Sequence, residues 1–137
     1  VIAGLAGGLV MGVLMSVMNP TVLTVAIPSL YGLGTPNGAA GWVAHMSHAA
    51  VFGVVFAGIA RLGDASSSYG RSLGLGITYG VVAWLFAAAL VMPLWLDVVG
   101  SPVAANLDWP NFDSVSLLWH VVFGAVVGAV YPAVRDV

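Results

Sequence analysis

Residues 41 to 60 read GWVAHMSHAAVFGVVFAGIA, a run of twenty residues without an acid, a lysine or an arginine. An α-helix of that length rises about 30 Å, which is the thickness of the hydrocarbon core of a bilayer. Of the 137 residues in the chain, 61% are hydrophobic and 6% are charged, whereas a soluble domain carries about 25% charged residues. The stretch therefore predicts a transmembrane helix, and the composition predicts an integral membrane protein.

Three further uncharged stretches are long enough to cross a membrane, so we predict an all-α, integral membrane four-helix bundle that forms a single transmembrane domain. The first apolar run continues past Pro20 and Pro28, which interrupt helical hydrogen bonding. The connections between the spans are rich in turn-forming glycine, proline, asparagine and aspartate. The predicted spans cover residues 2–19, 41–60, 72–92 and 116–134, and residues 20–31 are predicted to be kinked, interfacial or re-entrant.

The charged residues are distributed unevenly about these spans. Arg61, Arg71 and Arg135 all fall on one side, and the positive-inside rule assigns that side to the cytoplasm. Three of the five acidic residues fall on the opposite side. We therefore expect a multi-pass protein of the plasma membrane, with the arginine-bearing loop and the C-terminus in the cytoplasm.

Two parts of the chain resemble each other. The separation from proline to histidine is 28 residues in the first part and 27 in the second. We therefore predict two helical hairpins that form a parallel repeat, related by a pseudo-twofold axis along the membrane normal. The matching motifs are VMNP at 17–20 with VMP at 91–93, and HAAVFG at 48–53 with HVVFG at 120–124.

Three histidines lie in the outer-leaflet halves of the second and fourth spans, together with small residues at intervals of four. Small residues at that spacing allow membrane helices to approach closely. One interpretation is that the second and fourth helices pack on each other along these grooves, each histidine donating a hydrogen bond to its neighbour. The candidate ligand-binding histidines are His45, His48 and His120, and the groove glycines are Gly53, Gly124 and Gly128.

A second interpretation is a b-type haem held between two imidazoles, with His48 or His45 on one side and His120 on the other. The outer side offers no arginine or lysine for the haem propionates. A metal centre is not predicted, because no carboxylate within the spans would support the imidazole ligands. A proton or ion path through the histidines is a further alternative, although only Ser16 and Thr78 add polarity near the midplane.

Several functional classes are excluded or disfavoured by what the sequence lacks. The absence of cysteine rules out disulfides and thiolate chemistry. No basic patch is present to bind a nucleic-acid backbone. The sequence contains no GxSxG, P-loop or HExxH motif. These absences favour a protein that is not an enzyme.

The segments HAAVFGVVFAGI and HVVFGAVVGAVYP resemble those of a group of small, uncharacterised inner-membrane proteins of archaea and bacteria, the YagU-like proteins. The resemblance covers mainly the second and fourth spans, and it implies a four-helix membrane protein of unknown role. His48 and His120 are the positions that match, whereas His45 is additional in this chain.

The predicted function is that of a small accessory or structural subunit, embedded in the lipid bilayer and packed against larger membrane protein subunits. Lipid, quinone or carotenoid are the expected contacts in its grooves. The Gly- and Ala-rich faces of the first and third helices are predicted to receive the partner. The alternatives are an electron-transfer subunit with histidine-ligated haem b, and a small channel or transporter.

Overall fold

A computed structural model describes residues 1–63 and 68–137. Residues 64–67, in the predicted loop between the second and third spans, lie outside the described residues. The described residues form four long helical elements, and neither range contains a β-strand, so the all-α prediction is confirmed. The elements are α1 (Ile2–Met18), α2 (Gly38–Leu62), α3 (Tyr69–Val98) and α4 (Ser114–Val134).

The lengths and compositions of these elements are those of a helical membrane protein. The helices α2, α3 and α4 are each long and apolar enough to cross a membrane, and α1 with the segment after it provides a fourth span if the two are counted together. Large apolar side chains in mid-helix face outward; Val51 and Phe86 are about 60% exposed. Lipid covers such side chains at no hydrophobic cost.

The chain turns sharply after α1. Pro20 has no amide hydrogen with which to continue the helix, and the following bent segment (Val22–Ser29) makes an angle of 111° with α1. This is the region that was predicted to be kinked or re-entrant. The first part of the bent segment, Val22–Ala26, is π-helical.

Proline residues leave one backbone carbonyl without its helical donor in each half of the chain. Pro28 cannot donate to the carbonyl of Thr24, four residues earlier, and the backbone N–H of Asn37 donates to that oxygen instead (2.7 Å). Pro93 cannot donate to Ala89, and the backbone N–H of Asn111 takes its place (2.9 Å). The loops at 30–37 and 99–113, which we call the outer loops because the positive-inside rule predicts them on the outer side, are thereby each attached to the helical segment that precedes them.

The helix α3 continues six residues beyond the predicted end of its span at residue 92. Its middle part, Trp84–Val91, is π-helical, and wide π turns free carbonyl groups for partners outside the helix. The indole N–H of Trp109 donates to the carbonyl of Leu90 (3.1 Å), beside the bond from Asn111. Because the loop supplies these donors, Pro93 does not end the helix.

Glycine contacts pair α1 with α2 and α3 with α4. A Cβ atom on Gly53 would lie 2.6 Å from the Cα of Gly4, and one on Gly124 would overlap the carbonyl oxygen of Gly76. The interpretation that the second and fourth helices pack on each other along their glycines is therefore wrong. A helical stripe shows which residues share a face, and the neighbour that the face meets is set by the whole fold.

The two hairpins meet through α1, α4 and a cluster of aromatic rings. A Cβ on Gly7 of α1 would lie 2.8 Å from the side chain of Val127 in α4. The ring of Phe56 lies 5.5 Å from the rings of both Tyr79 and Tyr131, measured between centroids. All three rings are buried, so the two hairpins pack against each other at the level of these rings.

The arginines mark one end of the bundle. The guanidinium of Arg61, in the last turn of α2, donates to the carbonyl oxygen of Arg135 just after α4 (3.3 Å). Arg71 lies in the first turn of α3. These arginines therefore lie at the helix ends opposite the two outer loops.

Replacing Asn37 with alanine is expected to lower the free energy of unfolding by about 1 kcal/mol. The side-chain oxygen of Asn37 accepts the N–H of Ala40 and caps α2 (3.0 Å), which is why α2 begins three residues before the predicted span. Asn37→Asp keeps an acceptor and serves as the matched control. Equilibrium unfolding in mixed micelles measures both variants, and an equal loss in the two would contradict a role for the side chain.

Candidate functional site

A cavity of about 1080 Å³ lies between the two hairpins, and all three candidate histidines line it. Small-molecule sites occupy about 300–1,000 Å³, so the space is large enough for a sizeable organic ligand. The walls come from α1, the bent segment, α2, the second half of α3, the second outer loop and α4. Sequence reasoning located His45, His48 and His120, and the structure brings them together.

The groove glycines allow close helix packing, as predicted, but against helices other than the predicted ones. Gly53, Gly124 and Gly128 do not line the cavity. They lie at backbone contacts with α1 and α3, where a Cβ on Gly128 would overlap the carbonyl oxygen of Ser72. These glycines therefore set the distances between helices and leave the cavity to other residues.

The cavity lining changes in character along its length. Most of the polar lining residues other than the histidines lie near the outer loops, where apolar residues such as Leu30, Val103 and Leu107 also line the cavity, whereas the lining beyond the histidines, toward the aromatic cluster, is apolar. The polar lining residues include Asn19, Thr21, Asn106, Asn111, Asp113 and Ser116, and the apolar ones include Met11, Met15, Ala49, Phe52, Ala83 and Phe123.

His45 projects from α2 toward α1 and is buried. Its Nε2–H donates to the carbonyl oxygen of Gly8 (2.8 Å), and the indole of Trp42 contacts the imidazole edge-on, with 6.0 Å between ring centroids. Since a carbonyl only accepts, Nε2 carries the hydrogen and the lone pair of the neutral ring is on Nδ1. Nδ1 has no hydrogen-bond partner among the described residues.

His120 has the opposite arrangement. Its Nδ1–H donates to the carbonyl oxygen of Ser116, one turn earlier in α4 (2.8 Å). The lone pair of the neutral ring is therefore on Nε2, which is likewise unpartnered in the part of the chain that the structure describes. His45 and His120 both lie about two turns into their helices.

His48 lies about one turn deeper than His45 and has a partner that the sequence did not suggest. Nε2 of His48 is hydrogen-bonded to the hydroxyl of Tyr31, and the two rings lie 5.8 Å apart. Tyr31 lies two residues after the bent segment, and the indole N–H of Trp95 donates to the carbonyl of Leu30 between them (2.9 Å). The sequence carried no direct signal for this pairing, because Tyr31 and His48 meet only through the 111° bend.

A bis-imidazole haem needs a free ring nitrogen from an imidazole on each side. Nε2 of both His45 and His48 is hydrogen-bonded, so a haem would depend on Nδ1 of His45 together with Nε2 of His120, and the haem alternative stays a prediction. No lysine or arginine lines the cavity among the residues that are described. In those residues there is also no group of three or more His, Cys, Asp or Glu side chains that could hold a metal ion.

Comparison of the chain with protein-family models, with curated proteins and with solved structures finds no match. The resemblance to the YagU-like proteins, noted on two segments, therefore stays a prediction. Inference about function has to start from the cavity itself.

Proposed function

We propose that this protein is a small, non-enzymatic membrane subunit that holds an amphipathic, lipid-soluble molecule in the cavity between its hairpins. The observation that carries the proposal is the graded cavity of about 1080 Å³, with three histidines between its polar and apolar parts. Sites of this kind bury a mostly apolar ligand and orient it with a few polar groups. A quinone or a lipid, with a compact polar head and an apolar tail, matches that lining.

A carotenoid matches the cavity less well. Carotenoids are long and rigid, whereas the apolar part of the cavity leads toward the aromatic cluster of Phe56, Tyr79 and Tyr131, whose rings are buried. The same cluster opposes a channel, because a conducting path needs polar lining through the midplane. Binding of a head group near the outer loops is the function that these contacts favour.

Catalysis is disfavoured because the carboxylate that lines the cavity is already engaged in capping a helix. Asp113 is the one carboxylate among the described residues that line the cavity. Its two oxygens accept the N–H groups of Val115 (3.3 Å) and Ser116 (2.8 Å) and cap α4. A carboxylate in that position stabilises the helix start, and the cavity offers no other acid.

The accessory role calls for a different contact surface from the one predicted. One glycine face of each helix is already occupied, since Gly4 of α1 packs against α2 and Gly76 of α3 against α4, whereas a Cβ on Gly70 or Gly74 of α3 would meet no atom within 4 Å. The outward face of α1 carries Leu9, Val13 and Val17, spaced by four residues and 50–78% exposed. We place the contact with a larger membrane subunit on this apolar stripe.

We also propose that the two hairpins are structural repeats, with a register that differs from the predicted one. Pro28 and Pro93 have equivalent roles, and each free carbonyl accepts the N–H of an asparagine that follows a proline, Asn37 or Asn111. This register makes His45, rather than His48, the counterpart of His120. The arginine-bearing end then faces the cytoplasm, and the cavity lies in the outer leaflet.

Mass spectrometry of extracts from the purified protein tests the proposed function. Protein isolated from native membranes in polymer nanodiscs is expected to carry a quinone or a defined lipid in stoichiometric amount. Ala87→Phe fills the cavity that Ala87 lines and is expected to lower that amount severalfold. Val51→Phe adds the same ring on a lipid-facing position and is expected to leave it unchanged. Equal amounts of quinone or lipid in the extracts of the wild-type protein and of both variants would contradict the proposal.

A further inference from the structure

We infer that the cavity prefers a ligand head group that donates hydrogen bonds, and that it binds a hydroquinone more tightly than the corresponding quinone. The inference rests on the proposed function and deepens it. It is carried by His45 and His120, which line the same cavity from different helices and each have one ring nitrogen, Nδ1 of His45 and Nε2 of His120, that makes no hydrogen bond to the described residues.

The hydrogen positions on the two rings are fixed by the backbone. Gly8 and Ser116 offer carbonyl oxygens at 2.8 Å, and each oxygen accepts from one ring nitrogen. A neutral imidazole has one N–H, so the remaining nitrogen of each ring is an acceptor. Moving the hydrogen to the other ring nitrogen would leave the carbonyl oxygen of Gly8 or Ser116 facing a lone pair.

The surroundings keep both rings neutral. A charged imidazole within the membrane requires an ionic partner or water. Asp113 is the one described carboxylate at the cavity, and its oxygens are engaged with the N–H groups at the start of α4. No described basic side chain faces the cavity. We therefore infer that a ligand in the cavity meets two neutral acceptors, one from α2 and one from α4.

A hydroquinone and a quinone differ in whether their head groups can donate hydrogen bonds to these acceptors. The two hydroxyl groups of a hydroquinone donate hydrogen bonds, whereas the carbonyl oxygens of a quinone only accept. A site built to pair with a hydroxyl rejects an analogue that lacks it, because its own polar groups are then left unpaired. The hydroxyl-rich head of a glycolipid shares the donor chemistry, so the test includes one.

The Tyr31–His48 pair does not discriminate between the two forms. A tyrosine hydroxyl both donates and accepts, so this pair can reorganise its hydrogen bond to suit either head group. The control for the preference is Val51→Phe, because Val51 is exposed on the outer face of α2 and does not line the cavity.

Two measurements test the inference on the full chain in lipid nanodiscs. Anaerobic titration with decyl-hydroquinone and with the matching decyl-quinone is expected to give at least about tenfold tighter binding of the hydroquinone. Nitrogen-15 NMR of histidine-labelled protein is expected to find one ring with hydrogen on Nε2 and another with hydrogen on Nδ1. The NMR measurement needs no variant, so a folding defect cannot obscure it.

His120→Phe is expected to reduce the preference for the hydroquinone to within about threefold, and Val51→Phe to retain it. Equal binding of the two forms by the wild-type protein overturns the inference and leaves the proposed function intact. Displacement of the hydroquinone by an equal concentration of a short-chain glucoside overturns the hydroquinone assignment in favour of a lipid head. Binding of none of the three ligands overturns the proposed function as well.

Discussion

Replacing Gly124 with alanine is expected to destabilise the protein by about 3 kcal/mol or more. The added Cβ would overlap the carbonyl oxygen of Gly76 and would lie 2.9 Å from the backbone nitrogen of Gly80. Backbone atoms on the facing helix cannot rotate away as a side chain can, so α3 and α4 must separate. Equilibrium unfolding in mixed micelles, followed by circular dichroism, measures the loss.

Gly74→Ala is the matched control for this prediction. Gly74 lies in α3, on the same helix as the contacts of Gly124, yet a Cβ there would meet no atom within 4 Å. Alanine has a higher intrinsic helix propensity than glycine by about 1 kcal/mol, so this substitution is expected to be neutral or stabilising. If both substitutions changed the free energy of unfolding by the same amount, the close α3–α4 contact would be contradicted.

The all-α class was predictable from the uncharged runs because a chain in a bilayer must satisfy its backbone hydrogen bonds internally. The ends of the elements were harder to predict. The helix α3 reaches Val98 because Asn111 supplies the donor that Pro93 lacks, and Asn111 is remote in sequence. The repeated Pro–Asn pairs, at 36–37 and 110–111, were the signal for this arrangement, and the sequence interpretation did not use them.

The histidines were found from sequence because polar residues are rare in these spans, but their partners were not. His45 donates to the carbonyl of Gly8, and every residue has a carbonyl, so no residue type marks the acceptor. Gly53 and Gly124 were also identified from the sequence as packing residues, but the helices that they contact were predicted wrongly. Helical periodicity places residues on a face, whereas the neighbouring helix depends on how α1 lies between α2 and α4.

Replacing Gly41 with alanine is expected to detach the bent segment from α2. A Cβ on Gly41 would overlap the carbonyl oxygen of Leu23, and Leu23 is 1% exposed. Displacing this segment would also remove the bond from Asn37 to the carbonyl of Thr24. We expect a loss of about 3 kcal/mol in the free energy of unfolding, together with disorder of the cavity wall.

Thiol labelling measures that detachment directly, because the chain contains no cysteine and Ala26→Cys introduces a single thiol into the bent segment. Ala26 is 5% exposed, so maleimide labelling is expected to be slow in the parent and at least about tenfold faster with Gly41→Ala, since labelling follows local opening. Gly38→Ala is the control, because its Cβ would make an ordinary contact with Thr24 at 3.6 Å. Equal labelling rates for the two glycine variants would show that the bent segment does not depend on close packing against α2.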